Sequence, residues 1–175
     1  MRRVPGMTES PSPEPAPTWS LRPATLDDLP LVLKIENAVH PAPWNEKNFI
    51  PELTKPYSHF LVMTDDETDS VVSGYIVFWT LMDECQILNI AVDLPFRGLG
   101  LAKQMIRRAL GLSAKKGIKS ASLDVRKTNQ AAIQLYQGLR FTITHVRKSF
   151  YSNGEDGYQM RLPLDGEMLL EGDDF

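Results

Sequence analysis

One segment constrains this chain more than any other. Ile87-Leu88-Asn89-Ile90-Ala91-Val92 is an apolar run rich in β-branched residues. Asp93-Leu94-Pro95-Phe96 breaks it, and Arg97-Gly98-Leu99-Gly100-Leu101-Ala102-Lys103 then opens a basic stretch with helical spacing. The pattern reads as a strand feeding a glycine-bearing turn that starts a helix. The first turn of a helix carries unpaired backbone N–H groups, and glycines let a ligand approach them closely. A bound anion, above all a pyrophosphate, suits such a turn. A plain strand-to-helix connection is the competing reading, because glycine pairs are common in loops.

Two phosphate-binding patterns can be weighed against this turn. A P-loop needs Gly-Lys-Ser/Thr at the start of the helix, and Leu101-Ala102-Lys103 does not supply it. A dinucleotide fingerprint needs a glycine or alanine three residues after the second glycine, where this chain has Lys103. Asp124 does lie about 20 residues further on, as that fingerprint prefers. The segment, however, follows several strands rather than opening a parallel sheet. A nucleotide-binding domain with affinity for NAD is therefore a lesser alternative.

The flanking pattern gives the architecture. Residues 19–23 read as a strand. Thr25 is a good helix N-cap, with Asp27 and Asp28 behind it and an apolar stripe of Leu29, Val32, Leu33 and Ile35 or Glu36 running to Val39. His40-Pro41-Ala42-Pro43 ends that helix. Asn45 caps a second, short helix that Pro51 kinks or shortens. Strands are predicted over 57–64, 71–81 and 84–92, the last two joined by a tight turn at Met82-Asp83. A helix over 98–116 ends at Gly117, residues 120–126 form a strand, and Asn129 opens a helix through Leu139. Strands over 141–150 and 158–164 complete an α/β chain with a mixed seven-stranded sheet and about four helices on its two faces.

The chain has 175 residues, 42% of them apolar and 23% charged, which suits one folded domain. Residues 1–18 hold five of the 13 prolines and are expected to be a disordered leader, within which Met7 is a second candidate start. Residues 19–164 form the domain. Residues 165–175 are an acidic tail with five carboxylates and no basic residue. That tail accounts for the formal charge of −3, since residues 18–164 have 17 basic and 15 acidic groups, 17 − 15 = +2. A concentrated basic stripe is lacking outside one helix, so nucleic-acid binding is not expected. No membrane-spanning run or signal peptide is visible, and a cytoplasmic location is expected. Cys85, the single cysteine, cannot form an internal disulfide. His40, His59 and His145 lack metal-ligand spacing, so no metal site is expected.

With these residues in place, the chain resembles the GNAT superfamily of N-acetyltransferases. The likeness is carried by Arg97-x-x-Gly100-x-Ala102 after an apolar strand, and by the order of the elements. It narrows to the RimI-like branch through His40-Pro41-Ala42-Pro43-Trp44-Asn45-Glu46-Lys47-Asn48-Phe49, Leu88-Asn89-Ile90-Ala91-Val92, Leu123-Asp124-Val125-Arg126-x-x-Asn129 with Leu135-Tyr136, and the late Tyr151. The resemblance implies the family's fold and acetyl-CoA as co-substrate. It implies that Ile90, Ala91 and Val92 bind the acyl and pantetheine end, that Arg97, Gly98, Leu99, Gly100, Leu101, Ala102 and Lys103 wrap the pyrophosphate, and that Asn129 touches the cofactor. It also implies Asp124 as the base for the incoming amine and Tyr136 as the acid for the leaving thiolate. The implied acceptor is a protein N-terminus (Ala or Ser) of a ribosomal or other basic protein.

Two departures from the family pattern stand out. Asp124 replaces the usual glutamate, one methylene longer. Leu139-Arg140-Phe141 replaces Leu-Gly-Phe, so Arg140 must take up a backbone conformation that costs about 1 kcal/mol relative to glycine. Glu84 competes with Asp124 as base. Cys85 as a nucleophile is disfavoured by the lack of a neighbouring histidine. Trp44 has two readings, acceptor site or packing under a loop. Other functions remain open too: acetylation of a lysine side chain, polyamine or antibiotic, or acyl-CoA binding without catalysis.

The chemistry needs little else. An α-amino group titrates near pH 8, so part of it is already neutral in the cell. Direct attack on the thioester needs a proton acceptor, N–H donors near residues 89–92 for the oxyanion, and close placement of the two reactants.

Overall fold

The computed structural model describes residues 18–65 and 70–164. The leader expected over 1–18, Thr18 apart, and the acidic tail expected over 165–175 lie outside the described residues. In chain order the elements are β1 (Trp19–Pro23), a 3-10 turn (Leu26–Asp28), α1 (Leu29–Val39), α2 (Glu46–Phe49), a second 3-10 turn (Ile50–Leu53), β2 (Ser58–Asp65), β3 (Val72–Leu81) and β4 (Glu84–Val92). A third 3-10 turn (Leu94–Phe96) leads to α3 (Leu101–Lys115), β5 (Ser120–Arg126), α4 (Gln130–Gly138), β6 (Thr142–Arg147) and β7 (Gly157–Pro163). The expected mixed sheet of seven strands with four helices is present among the described residues. No described helix is long and apolar enough to cross a membrane.

The strands lie in the order β1-β2-β3-β4-β5-β7-β6. Only β4 and β5 run parallel, and α3 makes the crossover between them. Each face of the sheet covers its own core. On one face α3 and α4 bury Met105, Ile106, Ala109, Ile133 and Tyr136 against Phe78, Cys85, Ile87 and Leu123. On the other, α1 and α2 bury Leu29, Val32, Ile35 and Phe49 against Val62, Tyr75, Val77 and Ala91. Polar anchors fix the α1 side. Arg22 holds both oxygens of Asp28 at 2.8 and 2.9 Å, while Thr25 donates to Asp28 through its backbone and its hydroxyl. The arginine fork keeps the Asp28 carboxyl below its usual range.

Several boundaries differ from the sequence reading. The helix expected from Gly98 begins at Leu101, because Gly98 and Gly100 take left-handed φ values of 79° and 77° and cannot be helical. The strand expected over 141–150 stops at Arg147, where a turn carrying Ser149 at φ 48° intervenes. Thr25 caps a 3-10 turn that runs into α1 rather than capping α1 itself. Arg140 does adopt the left-handed φ expected of it, 70°.

Two irregularities in β4 prepare the site. The β3–β4 register pairs Val77 with Asn89 and Phe78 with Ile87, so Leu88 is an extra, bulged residue. As a result Leu88 and Asn89 both turn towards the α1 side, while Ile87 and Ile90 pack with the α3 core. The parallel pairing of β4 with β5 runs from Glu84↔Ser120 to Ile87↔Leu123 and ends there. Past the bulge the two strands part.

Candidate active site

The parting leaves one edge of β4 without a strand partner. Asp93 N–H donates to the Ser73 carbonyl at 2.8 Å, so the two-residue alternation turns Asn89 and Ala91 towards β3. Ile90 and Val92 therefore turn their backbone groups towards the opened edge. The Ile90 carbonyl accepts from His40 Nε2 at 3.1 Å. Both neighbours of Nε2 are acceptors, Ile90 O and Glu36 Oε2 at 3.5 Å, so Nε2 carries the proton. The Ile90 and Val92 N–H groups are left as donors along the gap.

The turn that follows presents backbone N–H groups to its open side. Asp93 caps it by accepting from Leu94 N–H at 2.8 Å, and Pro95 stiffens it. Arg97, Gly98, Leu99 and Gly100 are exposed. A Cβ on Gly98 or Gly100 would meet nothing within 4 Å, so the demand for glycine comes from the backbone angle and not from crowding. The first intrahelical bond of α3 is Gln104 N–H to Gly100 O at 3.1 Å. The N–H groups of Leu101, Ala102 and Lys103 precede it and point out of the positive end of a 15-residue helix. Leu101 anchors this end in the core, Ala102 is half-buried, and Lys103 is exposed.

Across the gap stands Asp124, the first residue of β5 beyond the paired region. Its Oδ1 lies 3.2 Å from Arg147 Nε, close enough for charge attraction but not aligned as a hydrogen bond. Among the described residues, Asp124 Oδ1 is the one sealed side-chain polar atom without a hydrogen-bond partner. Burial pushes the Asp124 carboxyl above its usual range, and Arg147 only partly offsets it.

Tyr136 sits on α4, 6% exposed, with its ring 6.0 Å from Phe141. Burial pushes its phenol up to about 12, and nearby Tyr151 adds to the shift. Its hydroxyl has no hydrogen-bond partner among the described residues and is not wholly sealed from solvent. Tyr151 is also pushed up to about 12, by burial first and then by the Asp124 charge. Asp124, Tyr136 and Tyr151 thus form one electrostatic cluster. Arg126 holds Tyr151 in place, its guanidinium 4.0 Å from the ring centroid and 2.8 Å from Glu155.

Asn129 caps α4, its side-chain oxygen accepting from Ala132 N–H at 3.2 Å, which leaves its amide N–H2 as a donor. Glu84 stands at the other end of β4, opposite Ser120 and paired with Arg161 at 3.0 Å, away from the gap. Cys85 is fully buried in the α3-side core, and burial pushes its thiol up to about 11, which suits packing and not nucleophilic attack. Trp44 packs its ring on Phe49 at 5.2 Å, while its backbone N–H binds Glu36. No group of His, Cys, Asp and Glu among the described residues is placed to hold a metal ion.

Two features escaped the sequence reading. One is the Arg147 and Tyr151 surroundings of Asp124, which come from a hairpin distant in sequence. The other is a buried polar network of Glu36, Tyr75 and Asn89. Its one sequence signal was an acidic residue on the apolar stripe of α1.

The profile of the acetyltransferase (GNAT) family matches residues 29–141. A Bacillus subtilis protein, provisionally named a [ribosomal protein bS18]-alanine N-acetyltransferase, is 36% identical over 143 residues, 81% of this chain and 93% of its own length. The Salmonella typhimurium [ribosomal protein bS18]-alanine N-acetyltransferase is 31% identical over 140 residues, 78% of this chain and 92% of its own. Among solved structures, the ribosomal-protein-S18-alanine N-acetyltransferase from Escherichia coli superposes with a TM-score of 0.76 at 27% identity, covering 90% of this chain and 99% of that one.

Proposed function

This chain belongs to the GNAT family and is an acetyl-CoA-dependent N-acetyltransferase, and from that premise we propose that its acceptor is the N-terminal α-amino group of a ribosomal protein. The observation that carries this is the gap between β4 and β5, with cofactor donors on one wall and the Asp124 cluster on the other. Relatives named for alanine N-acetylation of bS18 support the acceptor class.

In this reading Ile90, Ala91 and Val92 line the acyl and pantetheine end. The Ile90 and Val92 N–H groups face the thioester carbonyl as it gains charge. Residues 97–103 hold the pyrophosphate on the N-terminus of α3, and the free amide of Asn129 is a further cofactor donor.

Asp124 takes a proton from the entering ammonium. Its raised pKa favours that task over the behaviour of an ordinary surface carboxylate. The neutral amine attacks the thioester carbon, the tetrahedral adduct collapses, and Tyr136 gives its proton to the departing CoA sulfur. The second proton lost by nitrogen restores the tyrosine, and the first passes from Asp124 to water. The net products are the acetylated amine, CoA thiol and one proton.

The test is transfer from acetyl-CoA to a panel of basic peptides with free Ala or Ser termini, the same peptides blocked at the N-terminus but with free lysines, and spermidine. Turnover confined to free termini is expected. Turnover on blocked peptides or spermidine would move the acceptor class to side-chain or polyamine nitrogen, and CoA binding without turnover on any amine would contradict the reading.

A further inference from the structure

Glu36 is 1% exposed, yet no Lys or Arg pairs with it among the described residues. A buried carboxylate without a fixed cation is costly unless several donors surround it. Here they come from three separate parts of the fold. Trp44 N–H donates to Oε1 at 2.7 Å from the loop between α1 and α2. Asn89 Nδ2 donates to the same oxygen at 3.2 Å from the bulge of β4. The Tyr75 hydroxyl donates to Oε2 from β3, and burial together with the Glu36 charge pushes that phenol far above its usual value. His40 Nε2 stands 3.5 Å from Oε2 while holding the Ile90 carbonyl at the opened edge.

Glu52 offers an internal comparison. It is also buried, 5% exposed, and it takes donors from Lys55, Ser58 and Trp79. Its partners include a fixed cation, Lys55, and lie in the loop after the second 3-10 turn and on β2 and β3, none of them on β4. Stability alone explains Glu52. It does not explain why a buried carboxylate with no Lys or Arg partner among the described residues joins the 40–45 loop to the bulge that parts β4 from β5.

We propose that Glu36 is a positioning residue for acetyl transfer, fixing the α1–α2 loop and the bulged half of β4 in one relation so that acceptor amine and thioester meet in register. The inference rests on the acetyl-transfer reading above. A relaxed network would leave the α3 turn intact and the cofactor bound, but would let the loop drift from the thioester. Displacement of about 1 Å between reactants can cost about a hundredfold in rate.

The experiment compares Glu36→Gln with Glu52→Gln in the full chain, using steady-state kinetics on a basic Ala-terminated peptide, calorimetric acetyl-CoA binding and thermal unfolding. Glutamine at position 36 keeps the shape but sets an amide N–H2 against His40 Nε2–H. The expected result for Glu36→Gln is an acetyl-CoA Kd within about twofold of wild type and a peptide kcat/KM lower by about tenfold or more. Glu52→Gln is expected to lower Tm while leaving peptide kcat/KM within about twofold.

Asn89→Leu, which frees Glu36 from the strand but not from the loop, is the second arm. Its peptide kcat/KM is expected to fall about threefold or more with acetyl-CoA binding retained. Peptide kcat/KM unchanged in Glu36→Gln, or in Asn89→Leu if the glutamine variant does not fold, would overturn the proposal. So would equal kinetic losses in Glu36→Gln and Glu52→Gln. Wild-type protein that acetylates no free N-terminus would overturn the underlying reading and this inference with it, whereas active wild type with an equally active Glu36→Gln sinks the inference alone.

Discussion

Residues 84–87 and 88–92 are consecutive halves of one strand with different fates. The first half pairs with β3 on one side and β5 on the other, and its side chains either fill the α3-side core or reach solvent. The second half keeps β3 but loses β5, and its next turn runs into two left-handed glycines and the start of α3. A single extra residue, Leu88, divides them. The paired half is scaffold because all its backbone groups are spent within the sheet. The opened half can do chemistry because some of its groups are not.

The sharpest way to break this contrast is on the wall facing the opened half. Tyr136→Phe removes the proposed acid without altering the packing of the ring. It should lower kcat by about a hundredfold or more, with Tm nearly unchanged. A kcat close to wild type would remove Tyr136 from the reaction.

Asp124→Asn should lower peptide kcat/KM at pH 7 by about tenfold or more and abolish the acid limb of its pH profile. The stability effect has the opposite sign. Asp124 has a folded pKa above its unfolded value, so its favourable contribution exists at low pH and is lost as pH rises through the folded pKa. At neutral pH its ionisation therefore opposes folding, and Asp124→Asn should leave Tm equal or higher. A lower Tm at pH 7, measured by calorimetry, would show that the Arg147 attraction outweighs burial.

Gly100→Ala tests the turn beyond the opened half. A φ of 77° makes alanine strained by about 1 kcal/mol. The substitution should weaken acetyl-CoA binding several-fold by calorimetry while kcat at saturation stays near wild type.

The paired half should respond differently. Cys85→Ser places a more polar hydroxyl in a fully buried site whose polar neighbour is Ser113, and should cost about 1–3 kcal/mol by urea unfolding with unchanged kcat/KM. Glu84→Ala breaks a surface pair with Arg161 and should cost no more than about 1 kcal/mol, again with unchanged kinetics. A tenfold activity loss at Glu84 would restore it as a candidate base.

Much of this contrast was legible in the chain. The β-branched run 87–92 and the Gly98/Gly100 turn announce themselves locally, because strand preference and left-handed backbone demand are properties of short segments. Arg140 and its positive φ were readable only through the resemblance, because the family carries glycine at that position. The bulge at Leu88 was not, since it exists only in the register between β3 and β4. The surroundings of Asp124 were likewise hidden. Arg147 and Tyr151 reach it through a hairpin more than twenty positions along the chain, and long-range pairing leaves no local periodicity. Glu36 was half legible, as a carboxylate where the α1 stripe called for an apolar side chain, but its three partners come from β3, β4 and a loop. The displaced start of α3 shows a smaller lapse, since the glycines that favour an anion also forbid the helix from starting at residue 98.

The opened half of β4 is the reactive wall only if the cofactor lies along it. A crystal structure with acetyl-CoA bound measures that directly. The pantetheine arm should run along residues 90–92 and take hydrogen bonds from the opened edge, with the pyrophosphate on the N–H groups of residues 98–103 and the thioester carbon facing Asp124 and Tyr136. A cofactor seated elsewhere, or a β4–β5 gap that closes on binding, would contradict it.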